Sequence, residues 1–100
     1  MTHAVAEIVT FTLADGISPE DFLRLSQASE AFCRANPGFR HRQLSQGPDG
    51  RWTDYVVWAD LDTARSAAAS FPQQDFAPAL MQAITPDSVQ MRHETVHWAI

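Results

Sequence analysis

The chain contains no lysine; all seven of its basic residues are arginine. That absence removes a lysine Schiff base, and with it the usual pyridoxal-phosphate site, and also the lysine of a Walker A loop. Cysteine is nearly absent too. Cys33 stands alone, so no internal disulfide can form and a reducing compartment is the natural reading. The four glycines, three of them around one hairpin pattern, leave little material for a phosphate cradle. No run approaches the roughly 20 apolar residues that span a bilayer. The opening MTHAVAEIVTFTL has no basic start, long apolar core or cleavage site of a secretory signal. These features set the expectation of a soluble, cytoplasmic protein with no membrane partner. Positive charge is scarce as well: seven arginines against 12 acidic residues give a formal charge of −5. An acidic domain repels a phosphate backbone at long range, and the cluster Arg34, Arg40 and Arg42 is not extended by any basic face, so no nucleic-acid partner is expected.

What is present is apolar patterning. At 100 residues and 45% hydrophobic, the chain makes one domain, residues 1–100, with a core that needs no metal or disulfide staple. In AVAEIVTFTL, Val5, Glu7, Val9, Phe11 and Leu13 share one face and Ala6, Ile8, Thr10 and Thr12 the other, which is strand alternation. SPEDFLRLSQASEAFCRANPG predicts a helix. Ser18 is its cap, Pro19 its first residue, Asp21 part of an acidic first turn, and Asn36-Pro37-Gly38 its stop. Phe22, Leu25, Ala28 or Ser29, and Phe32 form its apolar stripe, and Cys33 falls within the same pattern as an inert buried thiol.

Phe39–Gln46 alternates again, with Phe39, His41, Gln43 and Ser45 on one side and Arg40, Arg42 and Leu44 on the other. The turn QGPDG leads into RWTDYVVWADL, completing a hairpin. Strand neighbours face opposite ways, so His41 points away from both arginines, which read as the polar face of a strand near a sheet edge. Asp60 or Asp62 caps a second helix, TARSAAASF. Pro72 interrupts it, and DFAPALMQAI continues with Phe76, Leu80 and Ile84 four apart. SVQMRHETVHWA closes the chain as a strand with Val89, Met91, His93, Thr95 and His97 on one face.

The order strand, helix, strand, strand, helix, strand predicts an α+β ferredoxin-like βαββαβ sandwich, with a four-stranded antiparallel sheet and helices on one face. The uncovered sheet face is not fully polar, and a second copy of the chain is its simplest cover, so a homodimer through the sheet is expected.

Several of these features resemble a known family. PGF opening the second strand, DYVVWADLDTA, the segmented helix FPQQDFAPALM and the closing ITPDSVQMRH are similar to antibiotic-biosynthesis-monooxygenase-like (ABM) domains of the dimeric α/β-barrel superfamily, including small bacterial members. The resemblance spans nearly the whole chain. It implies two ferredoxin-like protomers closing a barrel, each with a pocket between sheet and helices. Some members oxidise polycyclic aromatic substrates with molecular oxygen and without metal or flavin; others degrade haem. The haem-degrading members use an asparagine on the first strand and a tryptophan and histidine on the second helix. Here those places fall at or beside Phe11, among Ala68, Ala69 and Ser70, and near Leu80, so haem degradation is not implied.

The residues that could carry chemistry are few. His93 and His97 would chelate a metal on a helix, but on a strand they lie about 13 Å apart, so no metal is expected. Glu7, His41, Asp54 and His93 come from different strands of one sheet. A carboxylate beside a histidine makes a base able to deprotonate a phenol, with His93 and His41 the catalytic candidates. Trp58, Tyr55, Phe76, Met81 and Glu7 are the candidates for binding a small aromatic ligand; Trp58, Phe76 and Met81 are also what a plain core would contain. Two functions follow: a monooxygenase that needs no cofactor, acting on an aromatic or quinol substrate, or a non-catalytic small-molecule-binding or structural dimer on the same scaffold.

Overall fold

The computed structural model describes residues 3–100. Strands β1 (Val5–Phe11), β2 (Phe39–Gln46), β3 (Trp52–Trp58) and β4 (Gln90–Thr95) form one sheet in the order β2-β3-β1-β4, every pairing antiparallel. Helices α1 (Pro19–Gln27), α2 (Glu30–Arg34), α3 (Leu61–Ser70) and α4 (Ala77–Gln82) cover one face, giving the ferredoxin-like α+β arrangement. Among these residues no helix is long and apolar enough to cross a membrane.

Local chemistry explains the boundaries. Ser18 Oγ accepts the Asp21 amide at 3.2 Å ahead of Pro19, and Asp60 Oδ1 accepts the Thr63 amide at 2.8 Å, so Asp60 rather than Asp62 caps α3. Gly50 sits at φ 84° in the β2–β3 turn, a backbone region that favours glycine. The core forms two clusters under the helices. Phe11, Phe22, Trp52, Leu80 and Ala83 make one, and Cys33, Val56, Trp58, Ala64 and Ala67 the other.

Three expectations change. The first helix is two helices, because the chain breaks at Ala28–Ser29. The Ser29 hydroxyl donates to the Ser26 carbonyl at 2.6 Å and accepts from Arg42 Nη1 at 2.7 Å, so it bonds sideways at the point where the helix would continue. β2 does not alternate strictly. A bulge between Phe39 and His41 puts Phe39 opposite Trp58 and Arg42 opposite Val56, so Phe39, Arg42 and Leu44 all face the helices. Arg42 is therefore not part of a solvated polar face. Finally, a 3-10 turn at Pro86–Ser88 delays β4 to Gln90, and His97 lies beyond the strand.

The other sheet face carries Ala6 and Ile8 on β1. Ile8 lies in register between Tyr55 and Arg92, and Ala6 between Val57 and Glu94. The two central residues are buried even without a covering layer.

Candidate functional site

Strand register assembles the site. On the helix-facing side of the sheet, Glu7 pairs with Val56 on one flank and His93 on the other, while Val9 pairs with Asp54 and Met91. Arg42 pairs with Val56, and Leu44 with Asp54. Four ionisable side chains from four strands thus meet on one face, beneath helices that offer only apolar surface and small residues. Between sheet and helices lies a cavity of about 350 Å³. Glu7, Arg42, Asp54 and Trp58 belong to its floor; Phe32, Cys33, Ala68 and Phe71 line the helix side. Met81, Val89 and Met91 also line it and are strongly exposed, which marks an apolar mouth between α4 and β4.

The charged groups divide into two pairs of different character. Arg42 grips Asp54 with both ends of its fork, Nε to Oδ1 at 3.0 Å and Nη2 to Oδ2 at 2.8 Å. Burial works against the Arg42 charge, but the hydrogen bonds and charge of Asp54 more than offset it, and the group stays protonated. Nη1 donates to Ser29 and reaches Cys33 Sγ at 3.6 Å, tying the sheet to the helix break. Burial pushes the Cys33 thiol above its ordinary value, so it is no thiolate nucleophile.

Glu7 is held far more loosely. It is 8% exposed, and Oε1 lies 3.3 Å from His93 Nε2 without meeting hydrogen-bond geometry. The carboxyl is raised above its ordinary 4.5, chiefly by burial, against the opposing pull of His93. Glu7 Oε1, His93 Nε2 and Trp58 Nε1 are all buried with no hydrogen-bond partner. Oε1 therefore faces His93 rather than the open cavity, and the indole of Trp58 also favours the ionised carboxylate.

The candidates read from sequence separate by face. Glu7, Trp58 and Met81 line the cavity, and His93 stands behind Glu7. Phe76 packs one layer back, edge-on to Phe71 and Phe32. His41 and Tyr55 are on the opposite sheet face, with ring centroids 6.5 Å apart, and do not join the cavity. His3 and His97 lie near the termini with ring centroids 5.5 Å apart and the rings tilted by 49°. Among the described residues no three His, Cys, Asp or Glu side chains form a metal-binding group. Sequence reasoning missed the Arg42–Asp54 pair and the facing Ser29 and Cys33. One signal was present: Phe39 and Leu44 are both apolar and five residues apart, which strict alternation cannot place on one buried face.

No family model matches the chain, and no curated protein matches it either. Solved structures do. A variant of SnoaB, a cofactor-independent oxygenase from Streptomyces nogalater, is similar over 98% of this chain and 97% of its own, at 24% identity and TM-score 0.78. A protein of Bordetella bronchiseptica assigned to the antibiotic biosynthesis monooxygenases matches at 18% identity and TM-score 0.77, over 92% of this chain and 95% of its own. The monooxygenase from the gene ActVA-Orf6 of Streptomyces coelicolor, in complex with the ligand nanaomycin D, matches at 21% identity and TM-score 0.69, over 99% and 91%. With sheet order, helix layer and end-to-end overlap in agreement, the chain has the fold of an antibiotic-biosynthesis-monooxygenase-like domain.

Proposed function

We propose that this protein is a monooxygenase that needs no cofactor and acts on a small aromatic or quinol substrate held in the interior cavity. The observation that carries the reading is a buried carboxylate, Glu7, backed by His93 at 3.3 Å and lining a largely apolar cavity of about 350 Å³ in which the other charged pair, Arg42 and Asp54, is bound to itself. That volume suits a compact fused-ring ligand. The likeness to SnoaB and to the nanaomycin-D-bound monooxygenase supports the same class.

The chemistry follows from the geometry. A buried carboxylate is a stronger base than one in water. The Glu7 carboxylate takes the proton of a substrate hydroxyl from the cavity side, and His93, 3.3 Å from its Oε1, stands where it can take that proton on. The resulting aryl oxide is electron-rich and gives one electron to molecular oxygen. Recombination of the two radicals forms a carbon–oxygen bond. The peroxide anion takes back the proton held by Glu7 or His93, and loss of the hydrogen on the oxygenated ring carbon with cleavage of the O–O bond leaves a carbonyl and releases water, so substrate plus O₂ gives a quinone-type product plus H₂O. The apolar helix layer keeps bulk water from quenching the intermediates. The protomer's other sheet face is proposed as the contact with a second copy.

Oxygen uptake with a panel of hydroquinones and hydroxylated fused aromatics tests the reading. Wild type should consume oxygen, Glu7→Gln should lose about 100-fold or more, and His93→Ala about 10-fold. A panel that binds and raises the melting temperature with no uptake would instead establish the non-catalytic binding protein.

A further inference from the structure

We infer that Asp54 sets the class of substrate: by holding the Arg42 guanidinium it leaves the cavity without a free positive charge, so that uncharged hydroxylated aromatics bind and carboxylated ones are rejected. The inference deepens the reading of the cavity as a site for aromatic substrates. It needs only that the ligand binds there, not that it reacts.

Strand register puts the pair on the ligand's side of the sheet. Met91 at the mouth, Val9 and Asp54 stand in one row across β4, β1 and β3, and His93, Glu7, Val56 and Arg42 form the next row. β3 is an interior strand and Asp54 points towards the helices. The 20% of its side chain that stays exposed therefore opens onto the cavity between sheet and helices. The bulge in β2 turns Arg42 to the same side.

Among the described residues Arg42 is the one arginine bordering the cavity, and the chain has no lysine to add a second cation. Its charge is already neutralised. Nε and Nη2 grip both oxygens of Asp54, and Nη1 is taken up by Ser29 and Cys33. Glu7 adds a further carboxylate, with His93 behind it. Arg42 and His93 thus each have a carboxylate of their own. A carboxylated ligand would exchange water for apolar walls and two acidic neighbours, with no cation left to compensate it. A phenol withdraws only one neutral hydroxyl from water, at far smaller cost. The distinction turns on Asp54, because removing its charge alone frees a guanidinium fork whose geometry matches a ligand carboxylate.

Three ligands on one ring system test this at neutral pH by calorimetric titration: 2-naphthol, 6-hydroxy-2-naphthamide and 6-hydroxy-2-naphthoate. The amide matches the acid in bulk without its charge. Wild type should bind 2-naphthol and the amide within about fivefold of each other, and the acid about 100-fold more weakly than the amide. Asp54→Asn keeps the side-chain shape and an acceptor for Arg42. In that variant the acid should gain about 10- to 100-fold while the two neutral ligands change less than about threefold. Arg42→Met with Asp54→Leu removes both charges and should go on rejecting the acid. Wild type binding the acid as tightly as the amide would overturn the inference, and so would an unchanged acid-to-amide ratio in Asp54→Asn. Rejection of the amide along with the acid would assign the exclusion to bulk, and an equal gain in the double variant would remove Arg42 as the unmasked group; either overturns it. The expected selectivity in a protein that takes up no oxygen would support the inference and overturn the proposed reaction alone. Failure of all three ligands to bind would overturn both.

Discussion

At Arg42 three nitrogens are engaged at once: Nε and Nη2 on the Asp54 carboxylate, Nη1 on the Ser29 hydroxyl and near the Cys33 thiol. Its side chain is 17% exposed and that of Asp54 20%, so the pair is mostly desolvated but not sealed. Arg42→Met would leave Asp54 charged and unmatched. The expected loss is about 2–3 kcal/mol in urea unfolding, somewhat below that of a fully buried pair because solvent still reaches both groups. Arg42→Met combined with Asp54→Leu should recover most of it. Glu7 has the opposite character. Its folded pKa stands above the ordinary 4.5, mainly through burial, so the native state holds the proton more tightly than the unfolded chain. That contribution to stability is full below the ordinary value and is lost as pH rises through the raised one. Glu7→Gln stays neutral throughout. It should match wild type near about pH 4 and be the more stable protein towards about pH 8, in paired denaturant titrations. Besides Glu7, the groups facing that position are His93, Asp54, Trp58 and Arg42, and none of them is altered by the substitution.

Between elements, Gly38 joins β2 to the start of α3. Its carbonyl accepts the Ala59 amide at 2.8 Å, its amide donates to Asn36 Oδ1 at 2.8 Å, and an added Cβ would lie 2.5 Å from Thr63 Cγ2. Gly38→Ala should therefore cost about 1–3 kcal/mol by overpacking, seen as a lower melting temperature. Thr63→Ser with Gly38→Ala should relieve part of that loss, since the clashing methyl is gone. The same region shows what a sequence can and cannot disclose. β1 and β3 were legible because their side chains keep period two from end to end, and the caps at Ser18 and Asp60 because their chemistry is local. The bulge at Arg40 was not legible. It adds one residue to β2, reverses the faces of Phe39 relative to Arg42, and is set by pairing with a strand that lies beyond the turn. The break at Ser29 was hidden for a related reason: its partner, Arg42, is 13 residues away. Glu7 and His93 could be assigned to one sheet from the strand order alone, but only register brings them to one row.

For the whole molecule, the composition of the uncovered sheet face supports the proposed contact with a second copy. A central apolar row, Ala6 and Ile8, is flanked by Tyr55 and Val57 on one side and by Arg92 and Glu94 on the other. Sedimentation equilibrium at micromolar concentration should give twice the monomer mass, and Ile8→Arg should give the monomer without loss of helix signal by circular dichroism. A wild-type monomer at that concentration would end the dimer proposal. The cavity itself owes its existence to an omission in α3. Where Ala67 and Ala68 face the sheet, that helix presents almost no side chain, and the hollow is the volume a bulkier pair would have filled. The grip on a ligand's rings and the handling of its proton are thereby built on separate layers. Methyl-sized residues on a surface helix can be enlarged one at a time to plug or reshape the bore, and the strands that manage the charge need not shift at all.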